Sequence, residues 1–510
     1  MRVGVTRIAA LLMSTVAVDG AAGGSGRVVD SVRWVGAGQA ITQVVRLSVT
    51  IVLARLLTPH DFGLQTMASV FTALGTLLAT LGAGAVIVQR KSITEALLRS
   101  LTTLGLATGG VLFLVLALAS GGIARFYGEP SVAKVLMAMS ATFALSSIGM
   151  VPEGLLQREL RFARLVAIDL VALVVASVGC VGLAVAGYGV WALVVPNLAA
   201  TAVRSLLLLI FSPWKVRLGF DRAELASVVG FSSSVLGFNA LQYFIRNTDR
   251  LIIGKSLGIG DLGLYDYAYR FYMYPLEVVT GILISVLFPA FSRLQDSRAE
   301  LGRVFLRANS AIALVTFPMM AGLGVVAGPF VRVVLGEQWE RVIPLVQILA
   351  PLGALQSIVA TPGQIFLATG NAALRFWWSV IYTSTIMTSY FVGVQWGIIG
   401  VTSAYSIVML PISVAAFWLA LRLVDLGLIA IWRALEKVIA ATLTMGVTVW
   451  LLEFALVRAG LGDWVVLAVC VPAGVIAYGA TAWVLRIEAI DDILRLIPER
   501  ISSLVRRPAR

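Results

Sequence analysis

From residue 32 to residue 485 the chain is a succession of apolar stretches of about 20 residues parted by short polar segments. That one feature excludes most architectures. A hydrocarbon core about 30 Å thick is crossed by a helix of about 20 apolar residues, and only helices or closed barrels satisfy every backbone group there. A barrel would need alternating segments of about 10 residues, and the sequence has none. Charged residues make up 13% of the chain and hydrophobic ones 59%. That leaves too little polar side chain to cover a soluble domain of 510 residues. The expected fold is all-α and polytopic.

The spans fall at 32–54, 62–84, 99–120, 132–156, 163–186 and 189–211. Further spans follow at 223–248, 264–290, 304–327, 342–368, 374–394 and 398–421, then at 433–457 and 463–485. These are about 14 transmembrane helices. The net charge of +13 is explained by where the cations sit. With the N-terminus on the cytoplasmic side, 23 Lys and Arg fall in inside loops and the C-terminal tail, and 10 fall outside. The positive-inside rule then places both termini in the cytoplasm and the protein in the inner membrane. A topology signal of this kind leaves no role for nucleic acid as a partner.

Residues 1–30 read as a cytoplasmic extension. Arg2, Arg7 and the apolar run Ile8–Val18 resemble a signal peptide, but cleavage would reverse every loop against the cation bias. At the other end, Ile490, Ile493, Leu494, Ile497, Ile501 and Leu504 recur at helical spacing among charges. Residues 487–510 are therefore expected to form an amphipathic helix on the inner leaflet.

The two halves repeat. Residues 39–64 align on 239–264 without gaps, pairing Arg46 with Arg246, Leu57 with Leu257, Asp61 with Asp261, Gly63 with Gly263 and Leu64 with Leu264. Further on, Gly128-Glu129 matches Gly336-Glu337, and Arg161-Phe162 matches Arg375-Phe376. Six helices per repeat is an even number, so the halves face the same way, related by a pseudo-two-fold along the membrane normal. The expected domains are a first six-helix bundle over 31–215, its repeat over 216–425 and two additional spans over 426–486. Transport by rocking of the bundles follows from that plan.

Polar residues inside spans cost about 2.5–3.5 kcal/mol each on insertion scales, so the face they occupy is informative. Gln39, Gln43, Arg46 and Thr50 share a narrow arc of the first helix, and Asn239, Gln242, Arg246, Asp249 and Arg250 share one on the seventh. Two matched stripes facing a central cavity would suit an anionic, hydroxyl-rich substrate, since Arg pairs with phosphate and amides with sugar hydroxyls. The eighth span adds Asp266, Arg270 and a run of tyrosines including Tyr265, Tyr269 and Tyr272. The tyrosines are either a platform for sugar rings or an aromatic belt at the outer interface. Arg246, Asp249, Arg250 and Asp266 are either cavity ligands or a structural ion-pair cluster. Arg204 is expected to snorkel from the inner end of its helix.

Other chemistry is missing. His60 is the only histidine, and Cys180 and Cys470 lie singly in apolar stretches, so no metal site or disulfide is expected. Gly254-Lys255-Ser256 hints at a phosphate loop, but Asp249 stands where its first glycine should be. No ATP and no cofactor are expected. No acidic cluster supports a glycan polymerase or ligase, so the chain reads as a transporter and not an enzyme. A cation-coupled drug antiporter of the same plan is the alternative, and Asp249 is its one candidate acid.

Several segments carry a family resemblance. They are Leu53-Ala54-Arg55-Leu56-Leu57-Thr58-Pro59-His60-Asp61-Phe62-Gly63, Leu155 to Phe162, Asp249 to Gly254, Phe288 to Arg293 and Leu335 to Trp339. In that order they resemble the Wzx-like polysaccharide-transport flippases of the multidrug/oligosaccharidyl-lipid/polysaccharide superfamily, colanic-acid-exporter type, over residues 30–425. The resemblance implies a two-lobed MATE-like fold with a cationic cavity. It also implies transfer of undecaprenyl-pyrophosphate-linked oligosaccharide repeat units to the periplasmic leaflet for exopolysaccharide or lipopolysaccharide synthesis. The implied partners are that lipid-linked substrate, membrane lipids, and the polysaccharide polymerase and export machinery.

Overall fold

The computed structural model describes residues 25–79, 86–88, 90, 92–222, 224, 243, 247–273, 276, 291 and 297–487, with 25–40, 77–79 and 372 described in backbone alone. The sequence expectations for residues 1–24, for Asn239, Gln242 and Arg246, and for the tail beyond 487 lie outside the described residues. So does most of the Phe288 to Arg293 motif.

Every regular element among the described residues is helical. The first half runs α1 (Ser25–Leu56), α2 (Pro59–Ala79), α3 (Glu95–Tyr127), α4 (Ser131–Arg158), α5 (Phe162–Val185) and α6 (Trp191–Phe211). Helices α7 (247–256) and α8 (259–273) follow. Then come α9 (Arg298–Val325), α10 (Ala327–Val334), α11 (Ile343–Val359), α12 (Pro362–Ala368), α13 (Ala372–Gly393), α14 (Gly397–Leu423), α15 (Leu428–Arg458) and α16 (Asp463–Val484). Among the described residues nine segments are long and apolar enough to cross a membrane, which makes this a multi-pass membrane protein.

Local chemistry sets the helix ends. α3 begins after Thr94, whose Oγ1 accepts from the Leu97 N–H at 3.1 Å. It ends on Gly128, left-handed at φ 75°, with Gly128 N donating to Arg125 O and Glu129 N to Ala124 O. That crossed pair closes the last turn and needs glycine's freedom. Its repeat mate Gly336 also has positive φ, 106° with ψ 166°, a region reserved almost wholly for glycine. The matched Gly-Glu pairs of the sequence are therefore both positive-φ corners, of different conformation. The expected span 342–368 is one continuous apolar segment, with α11 and α12 parted only at Ala360 and Thr361, where Pro362 removes one backbone donor while Thr361 itself stays helical at φ −76° and ψ −37°.

The chain divides into two compact units, one ending at Gly263 and the other starting at Leu264. In the first, α3 packs on α4, α5 on α6, and α1 on α5. Residues 212–224, which follow α6, lie back on α3: Gly219 N donates to Thr103 Oγ1 at 3.0 Å and Asp221 N to Ser100 Oγ at 2.9 Å. Arg90 and Glu224 pair at 2.7 Å at the same end. In the second unit, α9 packs on α11 and α15, α13 on α14, and α15 on α16. Its core gathers Phe291, Phe305, Phe366, Phe417 and Val438, all buried.

Candidate substrate-binding residues

The motif after α1 is a capped corner. Thr58 precedes Pro59 at the first position of α2, where a missing N–H is tolerated. Asp61 Oδ2 accepts from Thr58 N at 3.0 Å and from Thr58 Oγ1 at 2.7 Å, and Asp61 N donates back to Thr58 Oγ1 at 3.4 Å, the reciprocal arrangement of a capping box. The corner meets its own repeat. A Cβ at Gly63 would overlap the carbonyl of Ile259, and a Cβ at Gly263 would overlap the carbonyl of Pro59. Positions 59 and 259 correspond in the repeat, as do 63 and 263, so the two backbones cross reciprocally, each at a glycine. The Asp-x-Gly signature thus encodes a close backbone crossing within the first unit.

Helix α1 leads into that corner, and its two faces differ. Gln43 and Arg46 are exposed and Thr50 is half-buried on one arc, which continues along the backbone to Gln39. The opposite arc carries Ile41, Val44 and Val52, at 49%, 66% and 40% exposure. Ser48, on that side, ties its hydroxyl back to Val44 O at 2.9 Å. An exposed apolar face belongs against lipid, and an exposed amide and guanidinium face belongs against water.

Helix α7 is more tightly engaged. Asp249 is 3% exposed and accepts from Arg250 N at 2.8 Å. Arg250 is half-buried, and its Nη1 donates to Asn247 Oδ1 at 3.0 Å. Asn247 Nδ2 in turn donates to Tyr243 O at 2.8 Å, and the Tyr243 hydroxyl donates to Val70 O on α2 at 2.7 Å. Lys255, at the end of α7, donates to the Phe126 carbonyl and lies 5.1 Å over the Phe126 ring. Asp249 and Arg250 thus sit in a network that ties α7 to α2 within the first unit.

On α8, Arg270 Nε pairs with Asp266 Oδ2 at 2.8 Å across one helical turn, with Asp266 buried and Arg270 exposed. Tyr265 and Tyr272 are buried, while Tyr269 is half-buried between them. Their rings run in sequence: Tyr265 to Tyr269 at 5.9 Å, then Tyr269 to Tyr272 at 5.4 Å. Tyr267, on the other side of the helix, meets Trp339 at 4.1 Å. In this conformation Tyr265 and Tyr272 are fully buried, and Tyr269 is the member of the row that retains accessible surface.

Sequence reasoning missed one polar centre. Arg204 on α6 does more than snorkel. Its Nη atoms reach both oxygens of Glu153 on α4 at 3.0 and 2.9 Å, and its Nε reaches Asp169 on α5 at 2.8 Å. The signal available was three single charges in three successive apolar helices. Among the described residues no group of three or more His, Cys, Asp and Glu could hold a metal ion.

Against known proteins, the sequence matches the family described as "Polysaccharide biosynthesis protein" over residues 52–344. It is 30% identical over 378 residues to the lipopolysaccharide biosynthesis protein WzxC of Escherichia coli (strain K12), covering 73% of this chain and 76% of that one. It is 28% identical to the succinoglycan biosynthesis transport protein ExoT of Rhizobium meliloti (strain 1021), covering 65% and 67%. Among solved structures, the fold matches an inward closed conformation of the lipid II flippase MurJ with a TM-score of 0.71, covering 89% of this chain and 99% of that one at 15% identity.

Proposed function

Since the chain belongs to the polysaccharide biosynthesis protein family, we propose that it is a flippase for lipid-linked oligosaccharides, moving undecaprenyl-pyrophosphate-linked repeat units from the cytoplasmic to the periplasmic leaflet. The relatives named for lipopolysaccharide and succinoglycan synthesis support a glycan cargo. It is a carrier and not a catalyst. The observation that carries the reading is the two-faced exposure of α1. Gln43 and Arg46 stand open on one side, with apolar Ile41, Val44 and Val52 on the other. A helix of that kind borders water on one face and lipid on the other, which a carrier of an amphipathic substrate requires.

In the mechanism, the guanidinium of Arg46, with Arg246 as its repeat mate, receives the pyrophosphate by paired N–H···O bonds. Gln39, Gln43, Asn239 and Gln242 supply amides to sugar hydroxyls, Arg250 and Arg270 add positive potential, held by Asn247 and Asp266 respectively, and Asp249 lies buried beside Arg250. Tyr269 offers its accessible edge to a sugar ring. Alternating access exposes the stripe to each side in turn. The membrane potential drives the step, since moving two negative charges outward across 100 mV, inside negative, releases about 4–5 kcal/mol. Both termini face the cytoplasm at the inner membrane, where the polysaccharide polymerase and export machinery take the product.

The test is leaflet transfer of a fluorescent lipid-linked oligosaccharide in proteoliposomes. Arg46→Ala with Arg246→Ala is expected to abolish transfer while insertion and thermal stability stay at wild-type level. Wild-type transfer in the double variant would refute the assignment.

A further inference from the structure

A second charged feature lies apart from these residues, in the second unit, where α9 packs on α15. Each helix carries two cations one turn apart, Arg303 and Arg307 on α9 and Arg433 and Lys437 on α15, and all four are exposed. They line one cleft of about 560 Å³, with Glu300 as its single acid. The cleft continues onto apolar wall from Val304, Leu306 and Ile487. Arg303, Arg433 and Lys437 take part in no ion pair among the described residues, whereas Arg90, Arg204 and Arg332 elsewhere are all paired with carboxylates.

The geometry points to a binding site for the phosphodiester head group of an anionic phospholipid, held between α9 and α15 in the leaflet that the cation bias makes the inner one. Three observations carry this. Cations meant only to fix topology need no partner helix, whereas these face each other in two pairs across a cavity of head-group size. Both pairs lie within the first three turns of helices long and apolar enough to cross a membrane, the end of a span where lipid phosphates would be met. Trp432, 56% exposed beside Arg433, is a side chain suited to that interface, and the apolar wall below the cations suits the start of acyl chains. A free inorganic anion would satisfy the guanidiniums and leave that wall without a role.

The test uses the full-length protein in vesicles of phosphatidylcholine with 20% phosphatidylglycerol, extracted in mild detergent, with retained lipid counted by native mass spectrometry. Wild-type protein is expected to keep phosphatidylglycerol selectively. The variant Arg303→Gln, Arg433→Gln, Lys437→Gln should lose at least about tenfold of it, because each basic residue near a lipid phosphate contributes appreciably. Glu300→Gln should retain about twofold more or better, a gain that misfolding would not produce. Unchanged retention in the triple variant, or no gain in Glu300→Gln, would overturn the site. Displacement of the bound lipid by 10 mM inorganic phosphate would overturn the lipid as its ligand in favour of a free anion.

Discussion

The two repeats share a backbone crossing but hold their helices together by different chemistry. In the first, α4, α5 and α6 are joined by charge: Arg204 bridges Glu153 and Asp169 with three hydrogen bonds between 2.8 and 3.0 Å. In the second, α9 is joined to the α11–α12 stretch by neutral groups, all fully buried. Thr361 Oγ1 donates to Asn309 Oδ1 at 2.8 Å, and two turns further along α9 Thr316 shares a hydrogen with Ser357 at 2.8 Å. Counted along the repeat, Pro152 before Glu153 falls near Pro362 before Gly363. Where the first repeat places a carboxylate, the second has a glycine, and the Arg375 guanidinium lies over it. Charge between helices demands full pairing in a low-dielectric setting, whereas a hydroxyl ladder tolerates sliding at small cost. One repeat is latched and the other is greased, although both descend from one pattern.

Breaking what the repeats share should have the largest effect. Gly263→Val places two methyl groups where the Pro59 carbonyl lies, and is expected to cost about 3 kcal/mol or more. Thermal unfolding in detergent, with folded yield as a second readout, checks it. Next comes the charged latch. Arg204→Leu leaves Glu153 and Asp169 facing each other without a counter-charge, for a loss of about 2–3 kcal/mol, less than a fully buried pair because the three side chains keep some exposure. The combination Glu153→Leu, Asp169→Leu, Arg204→Leu should recover most of it, which double-mutant cycles on detergent stability would reveal. The smallest effect belongs to the ladder. Asn309→Leu with Thr361→Val should show a coupling of only about 0.6 kcal/mol. A coupling as large as that of the latch would erase the distinction between the repeats.

Much of this was legible in the sequence because the bilayer simplifies the problem. Spans follow from apolar length, and the aligned Asp-x-Gly marked Gly63 and Gly263 as repeat mates, although only the structure shows that the two backbones cross there. The tyrosines show where legibility stops. At 100° per residue Tyr265, Tyr269 and Tyr272 share a face and Tyr267 opposes them, as their ring contacts bear out. Periodicity fixes which side chains travel together, but whether that face meets water, lipid or protein depends on segments far along the chain, such as those carrying Trp339 and Gly353. The Arg204 centre escaped for the same reason. Its partners stand 51 and 35 residues away, and each looked like a solitary charge.

The central claim is that α1 borders water along Gln43 and Arg46. Cys180 and Cys470 are buried, so single cysteines can be placed on α1 and read with a membrane-impermeant thiol reagent. In intact vesicles Gln43→Cys and Arg46→Cys should label readily, faster by about tenfold or more than Ile41→Cys and Val44→Cys, since the reagent needs a water-facing thiolate. Silent polar positions beside reactive apolar ones would turn the stripe toward lipid and contradict the account.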